Sequence, residues 1–125
     1  MRYAELFDDK LVTVSAHAPK KFRNNIVHDL QMTSENIVKS IFWANEYRQS
    51  DVQQCLKYTK QAEINIRWMT RRLERARRME CITPVEELDL GDKLATVEEY
   101  FAGWSDSNKK LSEELRKEEL RKKNL

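Results

Sequence analysis

The chain has 125 residues, 35% of them charged, with a formal net charge of +2 and a mean hydropathy of −0.80. Two Gly and two Pro are too few for the turns of a β protein, and this length suits one domain that buries roughly two-thirds of its extended surface. No apolar run approaches the ~18 residues of a membrane span, and the N-terminus, with Glu5, Asp8 and Asp9, lacks a basic-then-apolar leader. Cys55 and Cys81 form no CxxC pair and read as reduced thiols. The expectation is a soluble, cytoplasmic, all-α protein.

The small net charge conceals a segregation. Residues 20–82 carry thirteen basic and seven acidic side chains, whereas residues 83–108 carry one and seven. A basic middle beside an acidic stretch suits either a bipolar surface for self-assembly or an anion site with an acidic flank.

Four helices and a tail follow in chain order. The spacing of Phe7, Leu11 and Val14 predicts a first helix over about 3–16, weakened by Val12, Thr13 and Val14, whose branched side chains lose rotamer freedom. His17-Ala18-Pro19 ends it, because the residue before a proline avoids the helical basin. A second helix is expected over about 20–47, with Phe22, Ile26, Leu30, Thr33, Ile37, Ile41 and Ala44 on one stripe. Lys20, Lys21 and Arg23 cluster at its start, and Trp43 lies off its seam. Ser50, with Gln53 three places on, reads as the cap of a third helix running to about residue 79.

That third helix is the most informative part of the chain. Cys55, Thr59, Ala62, Ile66, Met69, Leu73 and Ala76 recur at alternating steps of four and three, the seam of a bundle helix. Lys57, Lys60, Arg67, Arg71, Arg75 and Arg78 recur on the other side, roughly 170° away at ~100° per residue. The result is a cationic ridge ~32 Å long, rich in arginine, whose planar fork binds two phosphate oxygens. Arg72 adds to it, and Glu63 and Glu74 are the only acids on the helix after Asp51. Charged outer faces usually do no more than solvate a fold. Ile64 and Trp68 are apolar members of this one, which a merely solvated face has little reason to hold. With Trp43 they are candidate contacts to a second subunit, and Trp68 could also stack on an unpaired base.

Thr83-Pro84-Val85-Glu86 then supplies cap hydroxyl, proline at the first helical position and glutamate at the third. Leu90, Leu94, Val97, Phe101 and Trp104 make the seam of the fourth helix. Residues 109–125 pair Glu113 with Lys117, Glu118 with Lys122 and Glu119 with Lys123 over a thin apolar edge. The expected architecture is an antiparallel up-down four-helix bundle over 1–108, followed by a charged helical or disordered tail over 109–125.

Chemistry is sparse. His17 and His28 belong to no HExxH or ExxH pattern, no glycine-rich phosphate loop exists, and Cys55 sits on a core seam. Asp89, Asp92, Glu98 and Glu99 read as a solvated face. The expectation is a non-enzyme with no catalytic residues, metal or cofactor.

Ala18-Pro19-Lys20-Lys21-Phe22-Arg23, Glu46-Tyr47 before a short polar turn, the arginine-rich third helix and Leu94…Phe101-Ala102-Gly103-Trp104-Ser105 together resemble a known layout. It is that of the accessory variability determinant (Avd) of diversity-generating retroelements and its relatives encoded in intervening sequences of bacterial 23S ribosomal RNA genes. The resemblance covers about residues 3–108; the turn at Glu80-Cys81-Ile82-Thr83-Pro84 and the Lys/Glu tail depart from it. It implies a homo-oligomer, typically a pentamer, whose basic surface holds a reverse transcriptase and its template RNA or RNA/DNA hybrid during mutagenic cDNA synthesis. Arg67, Arg71, Arg72, Arg75 and Arg78 would carry that contact, with Lys57, Lys60, Lys20, Lys21 and Arg23 beside them. The alternative is an oligomeric adaptor of the intervening-sequence branch with no nucleic-acid role.

Overall fold

Each of four amphipathic segments turns one apolar stripe inward, and the stripes meet in one core. The computed structural model describes residues 1–124. Its long helices are α1 (Arg2–Ser15), α2 (His28–Tyr47), α3 (Val52–Arg78) and α4 (Pro84–Lys123). Each packs on its neighbour in sequence, and α1 closes the ring against α4. With short connections, consecutive helices must reverse direction, and the fold is an antiparallel up-down four-helix bundle. Phe7, Leu11, Leu30, Ile37, Met69 and Leu90 are each at most 1% exposed at its centre. Each such side chain contributes roughly 1.5–3 kcal/mol relative to an exposed one. A hydrogen bond of 2.7 Å from the Ser34 hydroxyl to the Asp8 carboxylate fastens α1 to α2.

The start of α2 differs from the single helix expected from residue 20. Pro19 leads into a short 3₁₀ turn, Lys20–Phe22, and then a π-helical turn, Arg23–Val27. Asn24 and Asn25 are weak helix formers followed by β-branched Ile26 and Val27, and the Asn25 side chain accepts the Ile26 amide. The wider turn admits one extra residue, so that Ile26 and Val27 are both buried while Phe22 is only half-buried.

The cap of α3 is Asp51, not Ser50. Asp51 has extended backbone angles and its carboxylate accepts the Gln54 amide at 3.1 Å, whereas Ser50 remains in the preceding turn. An anionic oxygen at this position also complements the helix dipole, which a hydroxyl does less well. The far end closes as a Schellman motif. The Glu80 and Cys81 amides donate to Arg77 and Ala76 carbonyls at 3.0 and 2.8 Å, with Glu80 at φ 59°. Buried Cys81 and Ile82 then seal the bundle end. Thr83 and Glu86 form the capping box the sequence announces, with Pro84 opening α4.

The buried stripe of α4 is Leu90, Leu94, Val97, Phe101, Ser105 and Asn108. Trp104, expected on that seam, is only partly buried at its edge, and Ser105 takes the inward position. At ~1.5 Å per residue, 40 residues reach ~60 Å, far beyond the ~21 Å of α1. The helix therefore continues unbroken past residue 108 and projects from the bundle, mostly exposed. None of the three Glu–Lys pairs expected there closes within 4.0 Å among the described residues. Leu125, the last residue of the expected tail, lies outside them. No helix is long and apolar enough to cross a membrane.

Two substitutions test these helix ends by thermal unfolding. Asp51→Ala should cost about 1 kcal/mol, while Ser50→Ala leaves the midpoint unchanged; equal losses would contradict the assigned cap. Glu80→Gly should stabilise by about 0.5 kcal/mol, because relief of a left-handed residue exceeds the added freedom of glycine in the unfolded chain.

Candidate functional site

Burial of the Cys55-to-Ala76 stripe determines what α3 shows to water. Lys57, Lys60, Arg67, Arg71 and Arg78 are exposed, and Arg75 is half-buried. Among the described residues none of the six has a carboxylate within 4.0 Å. Arg72 differs. Its guanidinium lies 4.2 Å from the centroid of Trp68 and bridges to Asp29 of α2 at 3.4 Å. Part of its charge is thus committed within the molecule, and it steadies the flank of the ridge more than it extends it. Arg77, five positions on, is tied to Glu87 of α4.

Trp68 and Ile64, 46% and 51% exposed, share a shallow concavity with Arg67, Arg71, Arg72 and Arg78. Glu74 is the one carboxylate lining it. An exposed indole ringed by guanidinium groups offers an apolar contact and several phosphate donors within one surface.

The second basic cluster precedes α2. Lys20, Lys21 and Arg23 are exposed on the turns that precede α2, with Lys21 4.9 Å from the Phe22 ring centroid. Burial pushes the Cys81 thiol pKa up, and the positive charges of Arg75 and Lys21 both pull against that rise.

Trp43 does not join Ile64 and Trp68. It packs among Phe42, Tyr47 and Tyr58 where the end of α2 meets the start of α3. Tyr58 precedes Trp68 by ten residues, or ~15 Å along α3. In the sequence, Tyr47 figured only within the resemblance and Tyr58 not at all. The four-residue step from Trp43 to Tyr47, followed by a short turn, was the signal available.

The inner edge of α3 is held by charge as well as packing. Glu63 accepts hydrogen bonds from Ser105 and, at 3.1 Å, from Lys109 of α4. Burial pushes the Glu63 pKa up, but these bonds and the charges of Lys109 and Arg67 outweigh it and leave the carboxyl below its ordinary value. On α4, the hydrogen bond from Lys93, with Lys10 beside it, lowers the Asp89 pKa. Asp92, Glu98 and Glu99 are exposed, with no ion pair among the described residues.

Against known proteins, the chain matches no family model and no curated sequence. What fold and surface define is an all-α bundle with a segregated cationic face on α3.

Glu63 offers a pH test of the α3–α4 seam. Its lowered folded pKa stabilises the fold above the unfolded value and is lost as pH falls through the folded one. Glu63→Gln should therefore cost about 1 kcal/mol at neutral pH, modest because Lys109 is exposed. The difference from wild type should close well below the ordinary glutamate pKa of about 4.3. Urea unfolding at both pH values reads this out.

Proposed function

We propose that the chain is a non-catalytic, homo-oligomeric nucleic-acid-binding protein. In keeping with its resemblance to the accessory variability determinant, it serves a reverse transcriptase and its template RNA or RNA/DNA hybrid during mutagenic cDNA synthesis. The observation that carries the reading is the row of cations on α3, Lys57, Lys60, Arg67, Arg71, Arg75 and Arg78, which among the described residues have no carboxylate partner. Unpaired arginines on an exposed helix face attract a polyanion at long range and fork onto phosphates at short range. Lys20, Lys21 and Arg23 widen the surface at one end, and exposed Ile64 and Trp68 supply an apolar contact to a second subunit.

Binding through such a ridge is driven by counterion release. About five phosphate contacts give a log–log salt slope of roughly −3.5 to −4.5. Filter binding of RNA across a salt series should return that slope. Arg71→Glu with Arg75→Glu should abolish binding while helical circular dichroism is retained. Salt-insensitive affinity would remove the ridge as the binding surface.

The second reading is an adaptor without nucleic acid, favoured by exposed Asp92, Glu98 and Glu99 on α4, which could meet the ridge of a neighbouring copy. Light scattering separates the two. An assembly that releases nucleic acid under nuclease but stays intact supports the first, and one that dissolves in salt and never held nucleic acid supports the second.

A further inference from the structure

Away from the arginine ridge, an apolar cleft opens where α1 begins. It encloses about 370 Å³ between α1, α2 and α4, and α3 contributes no residue to it. Its floor is Ile41 of α2 with Val97 and Phe101 of α4, all three buried in the core. Tyr3, Phe42 and Tyr100 line it while remaining exposed, and Trp104 is partly buried beside them. The Tyr3 and Tyr100 rings stack at 4.4 Å between centroids with 27° between their planes, which ties the first turn of α1 to α4. Positions 97, 101 and 104 share one face of α4, and 41 and 45 share one face of α2. The walls are therefore the continuation of the same stripes that pack the core.

Polar groups in the cleft are few. Arg2 is the one charged side chain among the described residues that line it, and it has no carboxylate within 4.0 Å among them. The Asn45 amide, one turn after Ile41 and exposed, adds a neutral donor from α2. A cavity of a few hundred Å³, mostly apolar with a small number of polar groups, is the usual build of a small-molecule site. Five aromatic side chains line this one, so an apolar body gains by leaving water for it. The unpaired guanidinium then decides the charge of the head group, because a carboxylate fits its planar fork.

We propose that this cleft binds a small amphipathic carboxylate, with its apolar body on Ile41, Val97 and Phe101 and its head paired to Arg2. The Asn45 amide donates to the same carboxylate. A neutral analogue of the same shape keeps the apolar contact and loses the charge-assisted bonds, so the cleft discriminates by charge. An aromatic ring and a short acyl chain meet the same walls, and the choice between them is left to the experiment. The inference stands apart from the nucleic-acid reading, since no ridge residue lines the cleft.

The test is a titration followed by nuclear magnetic resonance of the tryptophan indole N–H groups. Naphthoate and octanoate are the anionic probes, with naphthalenemethanol and octanol as their neutral counterparts. The Trp104 signal should shift saturably while that of Trp68, on the outer face of α3, stays in place. Each carboxylate should bind about 3- to 10-fold tighter than its alcohol, a modest factor because Arg2 is exposed. Arg2→Gln should remove that preference, and Phe42→Ala should weaken all four probes while keeping it. The tighter of the two carboxylates identifies the body as aromatic or acyl. A Trp104 signal that no probe moves, equal affinity for acid and alcohol, or equal shifts at Trp68 would overturn the site.

Discussion

The inward turn of α3 is the constraint on which this molecule depends. Seven side chains from Cys55 to Ala76 are buried in one continuous stripe, and no rotation of the helix hides them without also aiming the opposite side at solvent. Packing the core and exposing the cations are therefore one event. The arginines need no separate device to hold them outside. Expelling guanidinium groups from a low-dielectric interior and burying Ile66, Met69 and Leu73 favour the same rotation.

Local chemistry at the helix ends then determines which stretch of the ridge is displayed. Asp51 begins α3 so that Lys57 lies in its second turn, and the Schellman closure at Glu80 ends it directly after Arg78. The same closure drives Cys81 and Ile82 into the bundle end. On the other side, Glu63 receives Ser105 and Lys109, so the α4-facing edge of the helix is neutralised while the outer face keeps its charge.

Much of this was legible in the chain. Four helices, the α3 seam, the opposing cations and the Thr83 capping box all follow from side-chain spacing within a single segment. The failures share a cause. Ser50 and Asp51 are adjacent acceptors, and only the backbone path through the turn decides which one reaches an amide. The π turn before α2 depends on whether both Ile26 and Val27 can be buried, which is a property of the cavity waiting for them. Trp104 and Ser105 compete for one inward position, and the closeness of α3 to α4 admits the smaller side chain and its bond to Glu63.

Sequence alone determined the helical class, the polarity of each helix and the existence of a cationic face, because a period of 3.6 residues is written locally and survives whatever surrounds it. Tertiary structure decided which charges stay free and which aromatic rings meet. Asp29 claims Arg72 across the α2–α3 seam, Glu63 receives Ser105 and Lys109, and Tyr58 settles against Trp43 and Tyr47. Those partnerships join residues on different helices. Their distances depend on the register of one helix against another, which no spacing within a single helix contains.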